Sequence, residues 1–421
     1  MKKILSILLA LAMLLTFAAC GGTEVDSDSE SDSSVDVSDE SVSDTVADEV
    51  SVDPDYKVGF IFLHDENSTY DKNFMDAAKA VQAELGLSDE QVLFKVGIPE
   101  SNECYEAAAE LVDEGCDLIF ADSFGHETYM IQAAEEFPEV QFAHATGTKS
   151  QTEGLDNYHN AFASIYEGRY LAGVAAGMKL NEMIENGEIT PEEAKIGYVG
   201  AFNYAEVVSG LTSFFLGARS ICESATMEVV YTNSWFDIAL EKEAAITLMD
   251  SGCVLISQHA DSEGAPKACE ERGVPNVAYN ISTISIAPTT ALISSKIDWA
   301  PYMKMIVEAT MKGENFETDW CGSLETNSVL LTELNEAVAA EGTAEKIEEV
   351  KAGLLDGSIK VFDTSKFTVN GETLTEYLAD VVDEGDFVPE TNVIADGAFN
   401  ESSLRSAPYF DIKYIDGITA K

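Results

Sequence analysis

A block of sequence near residue 57 returns near residue 195, and this recurrence constrains the fold more than any other feature of the chain. KVGFIF (57–62) is echoed by KIGYVG (195–200), and LVDEGCDLIFAD (111–122) by LMDSGCVLISQH (248–259). The segments just before the second pair, EAAAEL and EAAITL, keep the same offset of about 137 residues, and LFKVG pairs with VVYTN at a similar one. Repeat arrays have periods of roughly 20–50 residues, so a spacing this long means two copies of a whole domain.

Within the first copy, strand and helix signals alternate. KVGFIF is a short apolar run, and FMDAAKAVQAEL (74–85) has helical spacing; QVLFKVG (91–97) is a second strand. A helix around Glu103–Asp113, the strand in GCDLIFADSFG, a helix near Tyr129–Phe137 and the strand in VQFAHATG follow. Alternation of this kind implies parallel βαβ units. The pattern predicts an α/β chain of two Rossmann-like lobes joined by a hinge, with 56–150 as the N-terminal lobe and 151–285 as the C-terminal lobe. Residues 286–421 are then expected to cross back between the lobes and complete them.

Residues 1–20 have the layout of a secretory signal: Lys2 and Lys3, an apolar run from Ile4 to Phe17, then Ala18, Ala19 and Cys20. The Cys after small residues resembles a bacterial lipobox, which predicts lipidation at Cys20 and an extracytoplasmic chain anchored to the cell membrane; Phe17 stands where an aliphatic residue is commoner. Residues 21–55 form a Ser/Asp/Glu/Val tract without Lys or Arg, too polar to build a core, and read as a disordered acidic tether. The formal net charge of −52 argues against nucleic acid and against anionic solutes. Apart from Cys20, the six other cysteines show no CxxC or metal-ligand spacing, and Cys116 and Cys253 read as small core residues.

In a parallel α/β sheet, ligands collect outside the carboxyl ends of the strands, and two such lobes can share one cleft that closes about a hinge. The residues following each strand are therefore the candidates. The first lobe offers Tyr70, Asp71 and Phe74, then Asp122, Ser123 and Phe124, then Thr146. The second offers Asn203, then Trp235, Phe236 and Asp237, then His259 and Asp261, then Asn280. Aromatic rings recurring with carboxylates and amides suit a flat heteroaromatic ligand, stacked on its faces and hydrogen-bonded at its edges. Phe74 opens a helix and is equally suited to the core, and Asp122 and Asp261 are equally suited to helix N-caps. His64, His126, His144 and His259 share no i, i+4 spacing, so no metal and no cofactor are expected. GxSxG, HExxH, GxxxxGK[ST] and a strand-linked GxGxxG are all missing, so the chain is not expected to be an enzyme.

IYEGRYLAGVAAG (165–177), KIGYVGAF, FFLGARS (214–220), NSWFDIALEKEAA (233–245) and LISQHADSEGAPKACEERG (255–273) closely resemble the BMP family, the basic membrane protein and PnrA-like lipoproteins. DLIFADSFGHE and FPEVQFAHATG fit the same family, so the likeness runs from about residue 56 to 325. The resemblance implies a type I periplasmic-binding-protein fold and an ABC-importer substrate-binding subunit that works as a monomer. It further implies a purine nucleoside or nucleobase ligand, delivered to separate permease and ATPase subunits. Carried over by motif, the first-loop aromatic is Tyr70 or Phe74, the stacking pair is Trp235 and Phe236, and polar contacts fall near Asp122, Ser123 and Asp261. Nucleoside-binding members often read Asp-Lys-Ser-Phe-Asn where this chain has Asp71, Lys72, Asn73, Phe74 and Met75, which removes a polar contact for ribose. Another neutral solute such as a sugar, or a surface sensor on the same fold, is the alternative. Beyond residue 325, IKVFDTSKFTVNGETL (359–374) reads as a hairpin turning at Asn370-Gly371.

Overall fold

A computed structural model describes residues 53–383 and 388–421, which belong to one compact unit. The signal segment, Cys20 and nearly all of the acidic tether lie outside the described residues. Chain order in the first half is β1 (Val58–Phe62), α1 (Thr69–Leu85), β2 (Val92–Val96), α2 (Asn102–Asp113), β3 (Leu118–Ala121), α3 (Glu127–Glu136), β4 (Gln141–Ala145), a single turn α4 (Ser150–Glu153) and β5 (Tyr158–Ala163). The second half runs α5 (Ile165–Glu185), β6 (Lys195–Gly200), α6 (Ala205–Ile221), β7 (Thr226–Tyr231), α7 (Ile238–Asp250), β8 (Leu255–His259), α8 (Gly264–Arg272), β9 (Asn276–Tyr279) and β10 (Ala291–Ile297). After these come α9 (Ala300–Lys312), β11 (Asp319–Gly322), β12 (Val329–Leu331) and α10 (Thr343–Leu355).

The two sheets have matching orders, β11-β5-β4-β3-β1-β2 and β12-β10-β9-β8-β6-β7, so the sequence repeat is a repeat of topology. The ladders from β1 to β5 and from β6 to β10 are parallel throughout. One packing contact explains why the repeated letters recur. A Cβ at Gly59 in β1 would lie 2.7 Å from Leu111 of α2, and one at Gly197 in β6 would lie 2.9 Å from Leu248 of α7. The glycine in each first strand makes room for the same leucine of the covering helix.

The sequence reading is corrected at one boundary. The first lobe does not end at residue 150, because β5 is a full member of its sheet. In the strand YHNAFA two polar residues, His159 and Asn160, break the apolar run, yet every residue is buried. Asn160 and His159 are paired, with Asp319 and Gln141 respectively, so their polar atoms are satisfied inside.

Three adjacent crossings join the two sheets between β5 and β12. β5 leads through Ser164 into α5, which packs on β10 and β12 of the second sheet. From β10 the chain returns through Asp298 and Trp299 into α9, which packs on α1 of the first lobe. β11, parallel to β5, then passes through residues 323–328 to β12, antiparallel to β10. The crossings are stitched together. Ser164 N–H donates to Gly322 O at 2.7 Å, Asp298 N–H to Ser328 O at 2.7 Å, and Asn73 Nδ2 to Ile297 O at 2.8 Å.

The C-terminal part begins with α10 against α5 and continues in short antiparallel pairs: β13 (Leu378–Ala379) with β14 (Thr391–Asn392), and β15 (Ile394–Ala395) with β16 (Ala398–Phe399). It ends in β17 (Ile418–Ala420), a parallel edge strand on β7. Asn370 and Gly371 both have positive φ, as a tight hairpin turn requires, but pairing beyond it is limited to Val369 and Glu372.

Helices α5 and α6 touch backbone to backbone through two glycines. A Cβ at Gly173 would sit 2.1 Å from Phe214 O, and one at Gly217 would sit 2.1 Å from Tyr170 O. Because the obstacle is main chain, it cannot rotate away. Gly217→Ala should therefore destabilise the fold by ~1–3 kcal/mol in a denaturant titration; unchanged stability would mean that the helices do not cross this closely.

Candidate functional site

The strand carboxyl ends of both sheets converge on one cleft. Its innermost part is a slot walled on the first-lobe side by Leu63 and His64 after β1, Tyr70 and Asp71 in the first turn of α1, Ser123 and Phe124 after β3, and Thr146 after β4. The second lobe supplies Glu206 from the first turn of α6, Trp235 before α7, His259 and Asp261 at and after β8, and Tyr279 of β9. The lobes touch across it. Thr69 N–H donates to Asp261 O at 2.7 Å, the His64 and Phe236 rings are 5.3 Å apart, and the Phe124 and Tyr204 rings 6.1 Å apart. In this closed arrangement the slot holds only about 20 Å³, while an adjoining outer chamber that shares Phe124, Thr146, Glu206 and Trp235 holds about 550 Å³.

Backbone geometry at the slot is duplicated too. Thr146 after β4 and Asn280 after β9 both have positive φ, 71° and 69°, and their N–H groups donate to Ala161 O and Ser295 O in the neighbouring strand. A left-handed β-branched threonine is strained, and such outliers concentrate at binding sites.

Three carboxyl groups, Asp71, Glu206 and Asp261, line the slot, and Asp122 is buried behind Asp71. Their environments drive them apart. Asp71 is held below the ordinary carboxylate range despite its burial, because it accepts from His64 N–H at 2.7 Å and Ser68 Oγ at 2.6 Å, with the His64 ring nearby. Burial raises Asp122 well above that range, and the charge of Asp71 adds to the effect. Burial also raises Asp261 well up, reinforced by Glu241 and Asp71, and lifts Glu206 to about 7 against the pull of Arg169. Desolvation keeps His259 neutral. Arg169 is the buried cation behind this wall, its guanidinium 3.5 Å from the Tyr279 ring centre and bonded to Gln258 O. The slot thus combines one fixed carboxylate with protonatable carboxyls between aromatic walls. Such a surface accepts hydrogen bonds from a donor-rich edge and stacks on a planar face.

Of the residues expected from the sequence, Tyr70, Asp71, Ser123, Phe124, Trp235 and Asp261 meet in the slot, and Asn203 lines the outer chamber. Asp122 stands just behind, its carbonyl taking the Tyr70 hydroxyl at 2.9 Å and Oδ1 taking Leu63 N–H. Asn280 donates from Nδ2 to Asp261 Oδ1 at 3.2 Å and so orients that carboxyl. Three expectations are corrected. Phe74 is fully buried and stacks on Trp299 at 4.3 Å, because its position in α1 faces α9 rather than the cleft. Asp237 is the N-cap of α7, its carboxylate taking the Ala239 and Leu240 N–H groups. Phe236 meets His64 across the lobe contact without lining the slot. Glu206 and Tyr279 were missed; the signal for Glu206 was a carboxylate in the first turn of a helix that follows a strand. No group of three or more His, Cys, Asp or Glu side chains is arranged to hold a metal ion among the described residues.

Comparisons with known proteins identify the family and the fold. The family model of PnrA-like ABC transporter substrate-binding proteins matches residues 63–361. A purine-binding protein of Brucella abortus is 32% identical over 75% of this chain and 87% of its own length. A candidate ABC transporter glucose-binding protein of Haloferax volcanii is 31% identical over 74% of this chain and 72% of its own. Among solved structures, an ABC transporter solute-binding protein from Aeropyrum pernix aligns with TM-score 0.61 at 20% identity, covering 73% of this chain and 93% of that one. One from Conexibacter woesei aligns with TM-score 0.58 at 20% identity, covering 72% and 98%. At these identities the structural likeness concerns the fold, a type I periplasmic-binding-protein architecture.

The electrostatics of the slot have a measurable signature. The Glu206 carboxyl, raised from 4.5 to about 7 on folding, binds its proton more tightly in the native state. Its contribution to stability is complete below the unfolded value and is lost as pH rises through the folded one. Glu206→Gln should remove that loss, gaining on the order of 3 kcal/mol over the wild type between pH 4 and pH 8. Parallel stability–pH curves for the two proteins would contradict the assignment.

Proposed function

The chain belongs to the PnrA-like family of ABC transporter substrate-binding proteins, and on that premise we propose that it captures a purine nucleoside or nucleobase in the cleft between its lobes. The observation that carries this reading is the composition of the slot, where Tyr70, Phe124, Trp235 and Tyr279 surround Asp71, Glu206 and Asp261. A purine is flat, stacks on aromatic rings and presents N–H groups along its edge to carboxylate acceptors. An acidic slot with one ionised carboxylate repels phosphate and favours an uncharged base. The Brucella relative, purine-binding by name, supports the same ligand class.

Capture requires the lobes to part, since the closed slot is smaller than any base, and the three crossings are the natural axis of that motion. Outside the cytoplasm the captured solute is then handed to a permease, which a separate ATPase subunit drives. Lipid attachment at Cys20 and an acidic tether of self-repelling residues would hold the lobes near the membrane yet free to meet a permease. No helix among the described residues is long and apolar enough to cross a membrane. A second reading, capture of a sugar, is favoured by the roomy outer chamber and by the Haloferax relative.

Calorimetric titration with adenine, adenosine, guanosine, inosine, ribose and glucose separates the two readings. Binding of at least one purine with a preference over both sugars is expected; tight binding of a sugar with none of any purine would overturn the purine reading. If Trp235 stacks on the base, Trp235→Ala should weaken purine binding by ~1–3 kcal/mol, whereas an unaltered affinity would remove it from the site.

A further inference from the structure

The outer chamber owes one wall to a segment beyond the span matched by the family model, which ends at residue 361. Residues 406–416 run from one lobe to the other. At the first lobe, Ser406 N–H donates to Asp319 Oδ2 at 2.8 Å, and Asn160 Nδ2 donates to Ser406 Oγ at 3.0 Å. At the second, Arg219 donates to Asp416 O at 2.9 Å, Met227 N–H donates to Gly417 O at 2.9 Å, and β17 joins the sheet. Between these anchors the chain crosses beside the cleft, and Tyr409, Asp411 and Lys413 line the chamber. Tyr204 and Asn203 face them from the second lobe, and Thr148 from the first.

The chamber adjoins the slot at Phe124 and Trp235, so a substituent on a base held in the slot has room to extend there. Its lining alternates ring faces with hydroxyl, amide, carboxylate and ammonium groups. Rings pack on the C–H faces of a sugar while such polar groups take its hydroxyls. Its charge balance is unfavourable to phosphate. Asp380, Asp383 and Asp411, with a partly ionised Glu206, stand against Arg405 and Lys413, and Arg405 spends its guanidinium on the carbonyls of Ala407, Val381 and Pro408. The wall is also held in place at both ends, so it meets the ligand without ordering a loose loop.

We propose that the 406–416 crossing builds a second subsite, which takes an uncharged sugar substituent on the ligand and turns away a phosphorylated one. This rests on the reading that the inner slot takes the base, and it adds a selectivity device from the C-terminal segment.

The test compares the wild type with Asp411→Ala and Lys413→Ala, titrated with adenine, adenosine, adenosine monophosphate and glucose, with melting temperatures as a check on folding. Lys413 is exposed, so its variant leaves the fold intact. Each variant should weaken adenosine roughly five- to tenfold while changing adenine less than about twofold. The wild type should bind the monophosphate at least about tenfold more weakly than adenosine, and Asp411→Ala should narrow that gap. Equal losses for adenine and adenosine, or undiminished adenosine binding in both variants, would overturn the subsite. A wild type that binds no purine removes the base reading alone. The subsite then stands if glucose binds and weakens in the variants, and falls if glucose does not bind.

Discussion

The placement of the two sheets depends on three adjacent crossings between them, at Ser164, at Asp298–Trp299 and through residues 323–328. Because β5 and β10 each end at a crossing, both parallel sheets must present their carboxyl ends to the same gap. The loops that carry Tyr70, Ser123 and Thr146 then face those that carry Glu206, Trp235 and Asp261. Main-chain bonds tie Ser164 to Gly322 and Asp298 to Ser328, and the Asn73 side chain ties α1 to Ile297 beside them, so the crossings form one hydrogen-bonded cluster at the base of the cleft. The binding cleft follows from this connectivity before any side chain is specified.

What the side chains add is an electrostatic problem that a ligand can relieve. Asp71, Asp122, Glu206 and Asp261 are crowded together away from water, and only Asp71 has enough hydrogen bonds to stay comfortably ionised. Asn280 steadies Asp261, and Arg169 lowers the tension at Glu206 from behind. A ligand edge with N–H groups would give these buried carboxyls hydrogen bonds that water does not supply, and closing the lobes on it would strengthen them. The strained Thr146 and its left-handed counterpart Asn280 tie the ends of β4 and β9 to the neighbouring strands beside the slot.

The architecture was legible in the sequence to an unusual degree, because the duplication left matched letters at matched places. Gly59 with Leu111 and Gly197 with Leu248 are the same contact made twice. Legibility failed where burial and polarity part company. β5 carries His159 and Asn160 inside the fold, where only their partners from distant segments make them tolerable, and those partners are invisible to a local pattern. At the strand ends, position selected Trp235 and Asp261, which line the slot, but equally Asp237, since a helix cap and a ligand contact demand the same residue at the same place. Phe74 was ambiguous until Trp299, more than two hundred residues away, was seen to stack on it. The outer wall was not legible at all: Tyr409, Asp411 and Lys413 reach the cleft through a crossing that no motif announces.

A crystal structure of the chain grown with adenosine tests the central claim most directly. The expected result is a base lodged between the lobes against Tyr70, Phe124 and Trp235, with its edge on Asp71 or Asp261. Adenosine bound anywhere outside that slot, or lobes closed on an unfilled slot at saturating adenosine, would contradict it.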